Sequence, residues 1–248
     1  MPRYPSRYSS PSSFSFGPGP VSTSLQALIG ANVAVFFALA FLPQLMDFGL
    51  QPAWVVRGRL WQLGTYMFLH GGLWHILFNM LALWMFGAEL ERLWGTRYFL
   101  RFYFVTGIGA GILTVLFSLL PFDAAQQVYH SNVIGASGAI YGLLLAYGLH
   151  FPDRPIYMYL VFPIPARYFV LIMGAIAFYS TVSGSGGGIA NATHLGGLLV
   201  AYLFLRGSRL DPRAELKYRY LKWKINRARK KFDVYSGGRS NDWDRRVH

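Results

Sequence analysis

The sequence predicts an all-α membrane protein that crosses the bilayer six times. Hydrophobic residues make up 54% of the 248-residue chain and charged residues only 13%, which is about half the charged fraction of a typical soluble domain. Six apolar segments are each close to the roughly 20 residues that a spanning helix needs. They lie near residues 25–42, 72–90, 98–120, 133–151, 165–182 and 190–206. The low fraction of charged residues disfavours the alternative, which is a large soluble protein with buried helices.

Three regions are predicted along the chain. Residues 1–22 are rich in Pro, Ser and Gly and are predicted to be disordered, without the pattern of a removable signal peptide. Residues 23–207 form the six-helix membrane domain, and residues 208–248 form a basic cytoplasmic tail. Residues 206–248 carry 14 Lys and Arg against 5 Asp and Glu. Beside so much apolar sequence, this charge favours an anionic membrane surface over nucleic acid as a partner. The tail stretch 214–232 fits a basic amphipathic helix on that surface and a solvated charged tail equally well.

The arginines predict the orientation of the segments. Arg92, Arg97 and Arg101 lie in the connection between segments two and three or at the start of segment three. Arg154 and Arg167 lie likewise in the connection between segments four and five or at the start of segment five. On the other side, the long first loop has two arginines, and the loops after segments three and five contain no Lys or Arg. Positively charged loops stay on the cytoplasmic side, so both termini are predicted to be cytoplasmic. The membrane is predicted to be of the bacterial inner or plasma type. Segments two, four and six then run inward, and their first turns share one depth near the outer surface.

Two loops stand out from simple connections. The first loop, near 43–71, is long and contains four aromatic residues that suit the membrane–water interface: Trp54, Trp61, Tyr66 and Phe68. The last loop, "SGSGGGIAN" at 183–191, is rich in glycine and free of charge, so it is predicted to be flexible. It is not a dinucleotide-binding motif, because no βαβ pattern surrounds it.

Polar side chains occur at the starts of the three inward-running segments. Segment two opens with His70, His75 and Asn79, segment four contains Ser137 near its start, and segment six has His194 near its start. Strongly polar or ionisable side chains are costly inside a membrane and are candidate functional residues by default. Since the predicted topology puts all five at one depth, we expect them to form one site.

The chemistry of these side chains fits a hydrolytic site. A serine is a poor nucleophile unless a base takes its proton, and a neutral histidine is the usual base near pH 7; Ser137 and His194 supply such a pair. A tetrahedral oxyanion needs aimed donors. His75 and Asn79 lie four residues apart and so share one helix face, and the N–H of Ser137 at a helix start lacks an intrahelical partner.

Small residues offer a way for the fourth and sixth segments to meet. Gly138, Gly142 and Ala146 form a stripe on segment four, and Gly197 and Ala201 form another on segment six. Stripes of this kind let transmembrane backbones approach closely. Such packing would bring His194 to Ser137, and Tyr141, one turn after the serine, would hold the histidine ring by stacking.

Structural interpretations of the same residues stay open at this point. A serine within "GASG" can act only as a helix spacer, and His75 with Asn79 can simply bond neighbouring helices. A metal site built from histidines is disfavoured because the sequence has no HxxxH face or carboxylate cluster; the candidates are His70, His75, His130 and His194. No metal or other cofactor is predicted. The soluble hydrolase motif G-x-S-x-G fails because Ala139 occupies its last position.

Three stretches taken together resemble the rhomboid intramembrane serine proteases. "HILFN", "GASGAIYG" and "ATHLGG" occur in this order, and the resemblance covers about residues 25–206. It implies a rhomboid-like six-helix bundle in which Ser137 is the nucleophile and His194 is its general base, as a dyad without a third acid. Gly135 would belong to the GxSG motif and help to shape the oxyanion pocket.

The resemblance also implies roles for four further residues. His75 and Asn79 would supply side-chain donors to the oxyanion, Tyr141 would support the histidine, and His70 would line a water-filled cavity. The implied substrates are transmembrane proteins, cleaved near the outer surface after entering sideways from lipid past segment five and the last loop. The oligomeric state stays open.

The chain departs from the family pattern at one position. The first loop of the family often contains Trp-Arg, whereas Trp61 is followed here by Gln62. This departure leaves room for an inactive rhomboid-like protein that binds or escorts membrane clients, although such a protein would be expected to lack Ser137 or His194. A small transporter or channel, with the polar helix starts lining a pore, is a third hypothesis.

Overall fold

The computed structural model describes residues 20–158, 162–183 and 188–209, together with Lys224 and Arg227. Contacts divide the chain into two units, Met1–Leu205 and Arg206–His248. Residues 1–19, residues 184–187 and most of the tail, including nearly all of 214–232, lie outside the described residues, and so do the sequence predictions made for them. The last loop, predicted at 183–191, is shorter in the structure, because Ser183 ends one helix and residues 188–191 begin the next. In the second unit, Lys224 and Arg227 are helical and exposed.

Helices form most of the first unit. The described helices are α1 (Thr23–Phe41), α2 (Pro52–Val55), α3 (Gln62–Thr65), α4 (Leu73–Trp94), α5 (Thr96–Ser118), α6 (Asp123–Tyr129), α7 (Ser137–His150), α8 (Ala166–Ser183) and α9 (Gly188–Arg209). Short 3-10 helices at Pro43–Phe48 and Tyr66–Phe68 complete the first loop. One antiparallel hairpin joins β1 (Pro155–Met158) to β2 (Phe162–Pro165).

Four of the described helices, α1, α4, α5 and α8, are long and apolar enough to cross a membrane. α7 has only 14 residues, and neither it nor α9 is among these four. The chain is therefore a multi-pass helical membrane protein, while the count of six spans stays a prediction.

α7 lies at the centre of the first unit, packed against α4, α5 and α8. Its predicted segment began at residue 133, but the helix begins only at Ser137. Val133 instead exchanges two backbone hydrogen bonds of 2.8 Å with Leu50. Gly135 has φ +115°, a conformation that glycine adopts without the penalty other residues incur. Because of the extended pairing at Val133 and the turn at Gly135, the residues before Ser137 are not helical, and Ser137 is the first residue of α7.

The first loop differs from its predicted role at the interface. Trp61 is half exposed, but Tyr66 is fully buried, so the prediction of an interfacial position is wrong for Tyr66. Gln62 is also buried. Its amide nitrogen donates to the Asp47 carbonyl at 2.8 Å and its amide oxygen accepts from the Gln51 N–H at 3.2 Å. The glutamine that departs from the family pattern thus ties two parts of this loop together.

Polar groups join the helices at the end of the bundle where α4 and α7 terminate. The Glu91 carboxylate accepts hydrogen bonds from the hydroxyls of Ser22, Ser24 and Thr96, which belong to the starts of α1 and α5. Glu89 forms an ion pair with Arg154, just after α7. These contacts give both carboxylates a structural role, because they join α4 to neighbouring parts of the chain.

The hairpin between α7 and α8 was not predicted by the all-α assignment. Its strands contain Pro155, Pro163 and Pro165, and proline cannot continue a helix because it lacks the N–H and clashes with the preceding turn. Between these prolines, Ile and Tyr favour extended structure. The hairpin is closed at its base by a hydrogen bond of 2.9 Å from the Ala166 N–H to the Arg154 carbonyl.

Candidate active site

Ser137 and His194 lie within hydrogen-bonding distance of each other. The serine Oγ at the start of α7 is 2.8 Å from Nε2 of the histidine on α9. The two residues are 57 positions apart in the chain, so their contact depends on the packing of α7 against α9. This is the distance that a nucleophile and its base require.

Close backbone packing brings α7 and α9 together. A Cβ added to Gly197 would overlap the carbonyl oxygen of Gly138, and one added to Gly142 would lie 3.2 Å from the Cβ of Ala201. Any larger side chain at Gly197 would therefore push the helices apart. All of these residues belong to the two small stripes that the sequence pairs across the helices.

α5 packs against the same contact from a third side. Gly196 of α9 approaches the backbone of Ala110, and Thr193 and Thr114 share a hydrogen bond of 2.8 Å between their hydroxyls. Sequence reasoning missed these residues of α5 and α9. A signal was present, because Gly107, Ala110, Gly111 and Thr114 repeat at helical spacing along one face of α5.

The imidazole ring of His194 is held by stacking. Tyr141 lies parallel to it, with ring centroids 4.1 Å apart and an angle of 6° between the planes. Nδ1 of His194 is buried and has no hydrogen-bond partner in the part of the chain that the structure describes. The ring is thus oriented by the tyrosine face and by the serine hydroxyl.

His75 reaches the turn that precedes Ser137. Its Nε2 atom lies 2.7 Å from the point where a Cβ on Gly135 would be, so only glycine leaves room for the ring there. On the other side of the ring, the Gly71 N–H makes a long hydrogen bond of 3.5 Å to Nδ1. Asn79, one turn further along α4, donates from its amide nitrogen to the His75 carbonyl at 2.8 Å.

His70 lies directly beside His75. Their rings meet edge to face with centroids 5.0 Å apart. His70 is almost fully buried, and neither of its ring nitrogens has a protein partner among the described residues. Burial lowers the pKa of His70 to about 4, with a smaller contribution from His75, so the ring is neutral at pH 7. Buried polar atoms of this kind are usually satisfied by ordered water.

Tyr66 is the residue of this site that sequence reasoning assigned elsewhere. Its carbonyl accepts a hydrogen bond of 2.9 Å from the Gly135 N–H, and its hydroxyl donates to the Gly107 carbonyl at 2.7 Å. The tyrosine therefore links the turn before Ser137 to α5. An aromatic residue in a loop next to a membrane span gives no sequence signal that separates this position from one at the interface.

Metal-binding clusters are absent from the described residues, in which no group of three or more His, Asp or Glu side chains could hold an ion. His130, one of the four histidines considered, comes directly after α6 and meets Tyr129 edge to face. The serine hydroxyl contacts the imidazole of His194, His75 lies against the turn before the serine, and Asn79 is bonded to the His75 carbonyl.

Comparisons with known proteins agree on one family. The family model for the rhomboid domain matches residues 57–207, more than half of the chain. Rhomboid protein 1, mitochondrial, of Saccharomyces cerevisiae is 33% identical over 183 residues, which are 72% of this chain and 51% of that protein. Rhomboid protease GluP of Bacillus subtilis is 35% identical over 147 residues, 58% of this chain and 25% of that protein. Rhomboid protease AarA of Providencia stuartii is 27% identical over 205 residues, 76% of this chain and 73% of that protein. The chain thus spans about half and about a quarter of the first two relatives.

Proposed function

The chain belongs to the rhomboid family, and we propose that it is a serine endopeptidase that cleaves transmembrane proteins within the bilayer, with Ser137 and His194 as its catalytic dyad. The observation that carries the proposal is the 2.8 Å distance between Ser137 Oγ and His194 Nε2. Relatives named as rhomboid proteases support the same reaction class.

In the first step, Ser137 Oγ attacks the carbonyl carbon of the scissile peptide bond while its proton passes to Nε2 of His194. The tetrahedral intermediate collapses when the histidine returns this proton to the leaving nitrogen, which breaks the C–N bond and leaves an ester on Ser137. Water then attacks the ester carbon while the same histidine takes its proton. Collapse of this second intermediate breaks the bond between the carbon and Ser137 Oγ, the histidine returns the proton to Oγ, and the new carboxyl terminus is released. Nε2 must accept the first proton, so Nδ1 carries the hydrogen of the neutral ring, which the stacked Tyr141 keeps in position.

The oxyanion of the intermediate needs donors near the start of α7. The N–H of Ser137 is one of the first N–H groups of the helix, which lack intrahelical acceptors. His75 accepts at Nδ1 from the Gly71 N–H, so its Nε2 carries the hydrogen, and this atom lies against Gly135. Asn79 uses one amide hydrogen for the His75 carbonyl and has a second to donate. Gly135 and these three donors would form the oxyanion pocket.

Water and substrate would reach the serine from different sides. The buried nitrogens of His70, beside His75, fit a polar cavity that supplies water from the outer surface. Transmembrane substrates would enter sideways from the lipid, past α8 and the glycine-rich stretch that follows it. This proposal includes the predicted orientation, with both termini cytoplasmic, six spans and the site near the outer surface of an inner or plasma membrane.

Labelling with a fluorophosphonate probe tests the proposed nucleophile. The probe forms a covalent bond with an activated serine, so the wild-type protein should be labelled and folded Ser137→Ala should not. His194→Ala should also lose labelling, because the serine then has no base. Ser131→Ala is the matched control: its hydroxyl donates to the Val128 carbonyl at 2.7 Å and not to a histidine, so labelling should be unchanged.

The same experiment separates the alternatives. A folded wild-type protein that takes no label and cleaves no membrane substrate would favour the inactive client-binding protein. Labelling that survives Ser137→Ala would show that another serine reacts, and the proposed dyad would be wrong.

A further inference from the structure

The hairpin formed by β1 and β2 exposes large apolar side chains at the end of the bundle opposite Ser137. Tyr157 is 55% exposed and Phe162 is 62% exposed. Register places Tyr157 opposite Pro163 and Ile156 opposite Ile164, so apolar residues occupy both faces. A hairpin that lay on a surface with one face in water would alternate apolar and polar residues instead.

Connectivity brings this hairpin to the boundary of the bilayer. α8, one of the four helices able to span a membrane, begins at Ala166, immediately after β2. α7, with 14 residues, is about 21 Å long at the usual helical rise, which is shorter than the roughly 30 Å of the hydrocarbon core. A helix that begins below one surface and is this short ends near the opposite boundary, and the hairpin starts there.

Charged residues occur only at the base of the hairpin. Arg154 pairs with Glu89 and stacks over Phe151, and Arg167 pairs with Asp153 at 3.1 Å. The strands themselves contain no charged residue. Because both arginines already have carboxylate partners, attraction to anionic lipid adds little, and any attachment to the bilayer comes from the apolar side chains.

We propose that the hairpin inserts into the interfacial zone of the bilayer and anchors this end of the bundle to the lipid. The two-stranded sheet has backbone groups along its outer edges that hydrocarbon cannot satisfy, so the hairpin stays at the level of the headgroups and first methylenes. Aromatic rings such as Tyr157 and Phe162 suit this level. The lipid occupant is favoured over a protein partner because the bilayer already surrounds α8, whose first turns expose Tyr168 and Leu171.

Single-cysteine labelling measures the depth of the hairpin directly, since the chain has no cysteine of its own. Tyr157→Cys and Phe162→Cys would each carry an environment-sensitive fluorophore in the full chain, reconstituted in vesicles of zwitterionic lipid. Both labels should emit at shorter wavelength than a label at Asp153→Cys. A nitroxide attached near the lipid headgroup should quench them more than one near the end of the acyl chain. Phe178→Cys, on the exposed face of α8, is the positive control for contact with lipid.

The outcomes separate the proposal from its alternatives. Emission like that of the Asp153 label, with no quenching by either nitroxide, would place the hairpin in water and overturn the proposal. Quenching at only one of the two positions would mean that one face lies flat on the surface, and it would also contradict insertion. Adding salt should change neither signal if apolar contact dominates. Repeating the measurement with Ser137→Ala keeps this test independent of protease activity.

Discussion

The two ends of the bundle treat their polar groups in opposite ways. Near Ser137, the ring nitrogens of His70 and Nδ1 of His194 are buried without protein partners among the described residues. At the other end, Glu91 accepts three hydroxyl hydrogen bonds and Glu89 pairs with Arg154. Unsatisfied buried groups cost stability, so they persist only where the surrounding helices hold them. The difference fits the proposal that one end contains the catalytic site, whereas the other holds the helices together.

Changes to the proposed dyad should give the largest separation between activity and stability. Ser137→Ala and His194→Ala should each reduce the cleavage rate of a transmembrane substrate by roughly a thousandfold or more, and the double variant should lose little more, because groups that act as a unit are non-additive. Thermal unfolding should change far less, since only one hydrogen bond is lost. If the rate loss of the double variant equalled the product of the two single losses, Ser137 and His194 would not act as one proton-transfer unit.

The proposed oxyanion donors should affect the rate less than the dyad does. Asn79→Ala should cost up to about 2.7–4 kcal/mol of transition-state stabilisation, and His75→Ala more, because its ring also fills the space beside Gly135. The measurement is kcat for one membrane substrate.

Asn32→Ala on α1 is the matched control for Asn79→Ala. The Asn32 amide nitrogen makes the same bond to the carbonyl four residues earlier, at 2.8 Å. It should change stability but leave kcat per folded molecule unaltered. Equal losses of kcat in both variants would argue against an oxyanion role for Asn79.

A change at the contact between α7 and α9 should lower stability and cleavage activity together. In Gly197→Ala, the new methyl group overlaps the Gly138 carbonyl, and overpacking of this kind costs about 1–3 kcal/mol. Separation of the helices should also lengthen the distance between Ser137 and His194, so activity should fall, and Gly197→Val should be worse. Gly30→Ala on α1, where a Cβ meets nothing within 4 Å, should be neutral or stabilising. Unchanged activity in folded Gly197→Val would show that close approach is not needed.

Substitutions at the end of the bundle opposite Ser137 should change stability but not the cleavage rate. Glu91→Gln replaces a carboxylate that accepts three hydroxyl hydrogen bonds, and should lower the free energy of unfolding by about 1–3 kcal/mol. The cleavage rate per folded molecule should stay the same. Glu89→Gln breaks one partly exposed ion pair and should cost only about 0–1 kcal/mol. A specific loss of kcat in Glu91→Gln would remove the distinction between the two ends.

A small effect on both stability and activity is expected at Tyr66. Tyr66→Phe removes the 2.7 Å hydrogen bond to the Gly107 carbonyl and should cost about 0.5–1.5 kcal/mol of stability. Because the ring and the backbone contact to Gly135 remain, activity should fall only slightly. Tyr103→Phe is the control, since the Tyr103 hydroxyl is buried without a partner among the described residues; its removal should be neutral or stabilising by melting in the same detergent. Equal destabilisation of both variants would contradict the role of the Tyr66 hydroxyl.

The class of protein and most of the candidate site could be predicted from the amino-acid sequence. A long apolar run is costly to expose to water wherever it lies in the chain, so the spanning segments could be recognised without knowing their neighbours. Ser137, His75 and His194 could be singled out for the converse reason, because a polar side chain in an apolar run is costly to bury. The pairing of the small stripes could be predicted from helical spacing alone.

Three features depended instead on how the chain folds in three dimensions. They are the start of α7, the position of Tyr66 and the hairpin after His150. Hydropathy reports that a residue avoids water, but it does not distinguish a lipid interface from a protein interior, so the buried position of Tyr66 had no signal. The start of α7 depends on Leu50, 83 positions before its partner Val133, and such long-range pairing has no local pattern. The hairpin after His150 could not be predicted, because an apolar strand and an apolar loop next to a membrane span have the same sequence pattern. Only the pairing of the strands distinguishes them.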